Sequence, residues 1–134
     1  MKLTDEYPHP RLSLINYMGK MITKYHRLPK SELIRKENEY QSVFLSGKMI
    51  LNPYFSLFYA NSNCRKFGVY IAKNTFDKAV VRNRIKRYLK EIYRTNKEYF
   101  SDKYAYVIRP RPNIINIDFH QLKNEILSLV RKIV

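Results

Sequence analysis

The sequence predicts an α/β two-layer sandwich, in which helices pack on one small β-sheet. Along the chain, apolar residues that recur with a helical period give way to residues that alternate as in strands, and the exchange then repeats. The resulting order is helix, strands, helix, strand, helix, which is typical of helices packed against a sheet. With 134 residues, 45% of them apolar, the chain is long enough for one domain with a hydrophobic core. The lone cysteine, Cys64, excludes an intrachain disulfide, so packing must hold this core together.

Residues 1–30 show no regular apolar period. Pro8, Pro10 and Pro29 interrupt any helix or strand in this segment. We interpret residues 1–30 as a flexible basic extension, and residues 31–134 as the single folded domain.

The first predicted helix follows this extension. Asn38 is a good N-cap, Gln41 three residues later can complete a capping box, and Gly47 provides a typical helix end. Aromatic and β-preferring residues then predict strands over residues 54–60 and 67–72. Because only a short polar turn separates these two strands, we expect them to pair as an antiparallel hairpin.

The next helix, predicted over residues 78–94, carries seven basic residues and one acidic residue. At about 100° per residue its apolar side chains share one side, and its basic side chains cover an arc of roughly 140° on the other. Only Arg84 lies outside that arc, and Asp77 is placed to cap the helix. Repulsion among the cations must be offset by something anionic, so the pattern favours a polyphosphate partner, RNA in particular.

Two elements complete the chain. A strand is predicted over residues 104–108, and the proline-containing stretch that follows it, residues 109–113, ends it. Asp118 is then expected to cap a final helix. The apolar stripe of that helix consists of Phe119, Leu122, Ile126, Leu129, Val130 and Ile133.

The charge balance is the strongest compositional signal of function. Twenty-six basic residues face eleven acidic ones, which gives a net charge of +15. Such a balance implies an anionic partner: nucleic acid, an anionic membrane or an acidic protein. Ribosomal proteins, DNA-binding helices and membrane-surface helices all carry basic helices of this kind. No apolar run is long enough to span a membrane and no secretory segment opens the chain, so we expect a cytoplasmic protein without a membrane partner.

The order of residues narrows these alternatives. Residues 79–87, Ala-Val-Val-Arg-Asn-Arg-Ile-Lys-Arg, closely resemble the RNR signature of the bacterial ribonuclease P protein family. Residues 39–44, 52–59, 67–73 and 106–110 are similar to the family's flanking elements, in the same order. The resemblance covers roughly residues 34–134. It implies an αβββαβα sandwich with a four-stranded sheet, a short first strand near residues 48–50 and a left-handed βαβ crossover, against the usual right-handed rule.

The resemblance also implies a function. Members of this family are the protein subunit of a ribozyme that removes the 5′ leader from precursor tRNA, so the implied partners are the ribonuclease P RNA subunit and precursor tRNA, with no obligate protein partner. The RNA subunit performs the hydrolysis with bound Mg²⁺. By motif position, the residues expected to contact the RNA subunit are Arg82, Asn83, Arg84, Lys86, Arg87 and Lys90. Those expected to bind the leader are Tyr40, Phe44, Phe58 and Lys73.

Two alternatives remain beside this reading. Tyr40 and Phe44, four residues apart on one helix, suit a hydrophobic core equally well. The charge and fold class also suit a non-enzymatic RNA-binding protein of ribosomal type.

One departure from the family pattern concerns residues 74–78, which lack the glycine that usually precedes the RNR helix and are one residue longer. The eleven acidic residues form no evident metal-holding or proton-moving pair, so we predict no catalytic residue in the protein itself.

Overall fold

The computed structural model describes residues 29–133, so nearly all of the extension predicted over residues 1–30 lies outside the described residues. Three α-helices and four β-strands make up this part of the chain. In chain order they are α1 (Glu37–Ser46), β1 (Lys48–Leu51), β2 (Phe55–Asn61), β3 (Lys66–Val69), α2 (Ala79–Thr95), β4 (Tyr104–Pro110) and α3 (Phe119–Arg131). The predicted α/β architecture, with helices on a small four-stranded sheet and a short first strand, is confirmed.

The strand order β1-β2-β4-β3 contradicts the predicted hairpin of the second and third strands. β4 lies between them, antiparallel to β2 and parallel to β3, and the antiparallel hairpin is formed by β1 and β2 instead. An interior position suits β4 because its residues 105–108, Ala-Tyr-Val-Ile, give it apolar side chains on both faces, and all four are buried. The parallel pair needs a long connection, and α2 provides it.

The two faces of the sheet carry separate cores. Phe55 and Leu57 of β2 point toward α2 and α3, and neither is exposed at all. Phe58 and Ala60 point to the other face, where α1 packs through Val43. Because side chains alternate along a strand, these contacts place α1 on one face and the two other helices on the opposite face.

The helix ends differ from prediction at two places. α1 begins before Asn38, and the Glu39 carboxylate accepts the backbone N–H of Lys36 at 3.2 Å, so the capping carboxylate comes from Glu39 rather than from an Asn38–Gln41 pair. α2 begins at Ala79 with Lys78 at its N-cap, so Asp77 is one residue too early to cap it. Gly47 ends α1 as predicted, and Asp118 occupies the N-cap position of α3.

The edge of the sheet at β3 is covered by the chain that precedes α1. Leu33 forms a parallel bridge with Phe67, and the N–H of Ile34 donates to the Phe67 carbonyl at 2.9 Å. The carboxylate of Glu32 accepts a hydrogen bond of 2.5 Å from the buried Tyr93 hydroxyl and one of 3.0 Å from Lys97. Residues 30–34 are therefore tied to both β3 and the end of α2.

Candidate nucleic-acid interface

The basic helix α2 divides cleanly into a buried side and a cationic side. Its core side chains, Ile85, Tyr88, Leu89, Ile92 and Tyr93, are all buried. On the outer side Asn83 and Arg87 are exposed, and Lys86 and Lys90 are half-buried. We call these four outer residues the cationic face of α2. The face carries three positive charges and no acidic residue, as the helical period predicts.

The environment of Lys90 disfavours the charged form of its side chain. Partial burial, and secondarily the positive charge of Lys86 one turn away, lower the pKa of Lys90. Like charges four residues apart on a helix repel each other. A bound anion would relieve this repulsion.

Arg82 has a different environment from the rest of the predicted RNA-contacting set. Its Nη1 donates to the carbonyl oxygens of Phe76 at 2.7 Å and Asp77 at 3.1 Å. The Arg82 guanidinium therefore fastens the loop that leads into α2, while most of the other cations of the helix point outward.

Two further arginines of α2 lie off the cationic face. Arg84 lies on the flank of the helix, and its Nη1 is buried without a hydrogen-bond acceptor among the described residues. Arg94 is engaged by Glu91, three residues earlier. The structure thus concentrates the outward positive charge on Lys86, Arg87 and Lys90.

In the loop before α2, an asparagine adopts the backbone conformation that usually requires a glycine. Asn74 has φ = 67°, and it is the one described non-glycine residue with a positive φ. Asparagine tolerates this left-handed region better than most side chains do, so it can replace a glycine there. Thr75 steadies the turn, since its N–H and its hydroxyl both donate to the Ala72 carbonyl. Exposed Lys73 lines a pocket at this turn together with Asn74 and Arg82.

Four aromatic side chains form a half-exposed cluster between α1 and the sheet. The ring of Phe44 lies 4.7 Å from Phe58 and 5.1 Å from Tyr70, and the ring of Tyr40 lies 5.2 Å from Tyr70. All four rings are partly buried against a small core that includes Val43. We call them the aromatic trough. The structure brings Tyr40, Phe44 and Phe58 together as predicted, but it places Lys73 in the separate pocket at the loop.

Tyr40 is held in place by its hydroxyl and by a glycine. The hydroxyl donates to the carbonyls of Ile34 at 2.8 Å and Val69 at 3.2 Å. Burial raises the pKa of Tyr40, which keeps this donor protonated. A Cβ at Gly68 would lie 2.8 Å from the Tyr40 ring, so only glycine leaves room for it.

Tyr70 belongs to the trough but was absent from the predicted leader-binding set. Its ring contacts both Tyr40 and Phe44, and its hydroxyl donates to Glu37 at 3.3 Å. Tyr70 directly follows β3, and its place in the trough depends on the chain there lying beside α1, which no local sequence pattern indicates.

The two surfaces lie on opposite faces of the sheet, because α2 packs on the Phe55 and Leu57 side and the trough includes Phe58. Within residues 29–133, no three His, Cys, Asp or Glu side chains lie close enough together to hold a metal ion. Over the same residues, no helix is long and apolar enough to cross a membrane.

Comparison with known proteins identifies consistent relatives. A family model described as Ribonuclease P matches residues 28–134. The ribonuclease P protein component of Petrotoga mobilis is 40% identical over 109 residues, which cover 78% of this chain and 92% of that protein. The component from Finegoldia magna is 37% identical over 106 residues, covering 78% and 93%.

Solved structures agree with these relatives. The RNase P protein from Thermotoga maritima is 27% identical with a TM-score of 0.65, covering 75% of this chain and 96% of that one. The RNase P protein from Staphylococcus aureus, at 24% identity and a TM-score of 0.66, covers 78% and 95% and supports the fold.

Proposed function

Because the chain belongs to the bacterial ribonuclease P protein family, we propose that its two surfaces hold two different RNAs. Membership makes the chain a protein component of ribonuclease P, which matures the 5′ end of tRNA. The cationic face of α2 docks on the catalytic RNA subunit. The aromatic trough receives the single-stranded 5′ leader of precursor tRNA.

One observation carries this proposal: the cationic face and the aromatic trough lie on opposite faces of one sheet. A single packed domain can therefore contact an RNA on each side at once. Cations spaced along a rigid helix suit a structured RNA, since affinity grows with the number of phosphates that are neutralised together. Half-exposed rings suit an unstacked strand, since every base has a face that can stack on them.

The remaining predicted contacts support the same arrangement. Lys73 and Asn74 present an exposed cation and an amide at the loop that Arg82 fastens. In the proposal, Lys73 pairs with a phosphate of the leader, and Arg82 and Arg84 act mainly by positioning α2 and its loop. Asn83 lies within the cationic face, where its amide can donate to a ribose or phosphate oxygen.

The bond-breaking chemistry is assigned to the RNA subunit. The described residues offer no group of carboxylates of the kind that holds Mg²⁺ in proteins, so they do not fit a protein-borne catalytic metal. We place the Mg²⁺ ions on the RNA, where they supply Lewis-acid chemistry for hydrolysis. Since tRNA is processed where it is transcribed, we also place the protein in the bacterial cytoplasm.

Reconstitution tests the function. The protein should enhance cleavage of precursor tRNA by a bacterial ribonuclease P RNA at low Mg²⁺ concentration. Absence of any enhancement, with a protein that is folded by circular dichroism, would refute the proposal.

A matched pair of variants tests the trough. Phe58→Ala should weaken binding of leader-bearing tRNA about 5-fold or more, since stacking of a base on a ring contributes about 1–3 kcal/mol. Binding of mature tRNA should not change. Phe58→Leu keeps an apolar side chain against Phe44 but has no ring, so it should show the same selective loss. Equal losses for both tRNAs would rule out the leader assignment.

A further inference from the structure

A second groove runs along the other flank of α1, away from the aromatic trough. Its apolar lining consists of Ile34, Val43, Ala60 and Ala105. Its walls carry amides and hydroxyls from α1 and from the end of β2: Asn38, Ser42, Ser46, Asn61 and Ser62. We call this feature the polar groove. No aromatic ring lines it, so it cannot bind bases by stacking as the trough can.

The polar groove adjoins a basic pocket at the start of α1. Asn38, Glu39 and Lys66 line both cavities, so the two cavities adjoin each other. The pocket gathers four cations, Lys30, Arg35, Lys36 and Lys66, around the carboxylate of Glu39. That carboxylate already accepts the backbone N–H groups of Lys36 at 3.2 Å and Arg35 at 3.5 Å, and lies 3.5 Å from Lys66 Nζ.

The charges that remain are available to a ligand. Lys66 and Glu39 largely offset each other, while the exposed side chains of Lys30, Arg35 and Lys36 have no hydrogen bond or ion pair to any described residue. Cations at one end and hydroxyls and amides along the walls match the sugar–phosphate backbone of RNA, because phosphates pair with the cations and 2′-hydroxyls with the polar groups.

The chain's own N-terminal segment is a poorer occupant. Residues 1–28 contain five Lys or Arg and two Asp or Glu, so this segment is itself basic and would be repelled by the pocket. An anionic strand is favoured by charge complementarity. Only α1 separates the groove from the trough, and because a helix is about 10 Å across, one strand can reach both.

We propose that the polar groove and its basic pocket bind the backbone of the 5′ leader, upstream of the nucleotides that lie in the aromatic trough. This inference rests on the proposed function. Trough and groove flank the same helix on the same face of the sheet, whereas the cationic face of α2 lies on the other face. A leader that leaves the trough can pass around the start of α1, where the basic pocket lies.

Leader length provides the test. In the reconstituted holoenzyme, Arg35→Ala/Lys36→Ala is compared with Lys123→Ala/Lys132→Ala, which removes the same charge from α3 and its C-cap. Precursors carry leaders of about 4 or about 20 nucleotides. Single-strand binding sites span about 4–16 nucleotides, so the short leader fills only the smallest such site and the long leader exceeds the largest. With the long leader, the first variant should lower the slope of log affinity against log salt by about 1.4, for two lost contacts to a single strand.

With the short leader, Arg35→Ala/Lys36→Ala should behave as wild type, and Lys123→Ala/Lys132→Ala should do so with both leaders. Equal effects on long and short leaders would overturn the inference, and so would no effect on either. The proposed function fails separately, if the wild-type protein gives no enhancement of cleavage at low Mg²⁺.

A second measurement identifies the bound strand. The probe is an iron chelate that generates hydroxyl radicals, attached to a single cysteine in a Cys64→Ser background. It is placed at Ser42→Cys in the groove or, as the control, at Ser128→Cys, an exposed position on α3. The groove position should cut the distal leader, and the control should not. Cutting confined to the RNA subunit, or no cutting above the control, would overturn the assignment.

Discussion

Arg82 and Arg87 lie on the same helix but should fail in different ways when they are replaced. Arg82 donates from Nη1 to the Phe76 and Asp77 carbonyls, so Arg82→Ala should loosen the loop before α2. Arg87 is exposed and makes no hydrogen bond or ion pair with any described residue, so Arg87→Ala should leave the fold intact. Its loss should appear only in binding to the RNA subunit.

The magnitudes follow from these contacts. A hydrogen bond to a charged group contributes about 1.5–3 kcal/mol. Because Arg82 is partly exposed, solvent screening reduces the loss on Arg82→Ala to about 1–2 kcal/mol. For a domain of about 100 residues, each kcal/mol lowers Tm by about 4–8 °C, so this loss corresponds to a decrease in Tm of about 4–16 °C. A surface change such as Arg87→Ala should stay within about 0.5 kcal/mol of wild type.

Thermal unfolding and salt-dependent binding separate the two roles. Arg87→Ala should lower the slope of log affinity against log salt by about 1, the value for one lost phosphate contact. Arg82→Lys keeps the charge but not the planar fork, so it should retain the wild-type slope and still lose stability. If Arg82→Ala unfolds at the wild-type Tm and loses the same slope as Arg87→Ala, the positioning role of Arg82 is wrong.

Three further predictions concern stability. Asn74→Ala should lower the free energy of unfolding by about 1 kcal/mol, because alanine lacks the tolerance of asparagine for positive φ, while Asn74→Gly should match or exceed wild type in chemical denaturation. Gly68→Ala should displace Tyr40, costing about 1–3 kcal/mol and weakening the binding of leader-bearing tRNA in a filter assay; wild-type values for both would show that the trough can yield. Burial alone would raise the pKa of Glu32, but hydrogen bonds from Tyr93 and Lys97 and nearby positive charge lower it overall. Its stabilising contribution is therefore complete above the unfolded pKa of about 4.3 and is lost as the pH falls through the lowered folded pKa, so the advantage of wild type over Glu32→Gln in denaturant titrations should shrink on acidification below about pH 4.

Local sequence patterns predicted the elements of this fold better than their pairing. The period of α2 and the stripe of α3 identify most of the buried residues, because each helix buries one continuous face. In α3 the predicted Leu129 is only half-buried, and the buried Leu127 was outside the predicted stripe. The hairpin of β2 and β3 was wrong because adjacency in sequence favours antiparallel pairing, whereas burial places β4 between them. Strand order depends on contacts between distant segments, which no local period records.

The site shows the same division. The resemblance grouped Tyr40, Phe44 and Phe58, whose rings the structure brings together, but it also included Lys73, which lies apart from them. Tyr70 was missed because its ring contacts depend on the chain after β3 lying beside α1. Likewise, the charge of Arg82 is plain in the sequence, but its engagement by two carbonyls depends on the path of the loop. The sequence states the charge and polarity of a side chain, but the fold determines whether that side chain bonds to the protein itself or remains available to a ligand.

The make-up of the surfaces also limits what the protein can contribute to the reaction. Arginine stays protonated at physiological pH, and a phenylalanine ring carries no exchangeable proton, so neither suits proton transfer. Their natural effect is on the binding of RNA, through phosphate neutralisation and stacking. With one surface on each face of a rigid sheet, the binding of one RNA fixes the orientation in which the other is presented. In the proposed function, the protein acts on cleavage by holding the leader in register with the RNA subunit, a positional effect that lowers the entropic part of the barrier.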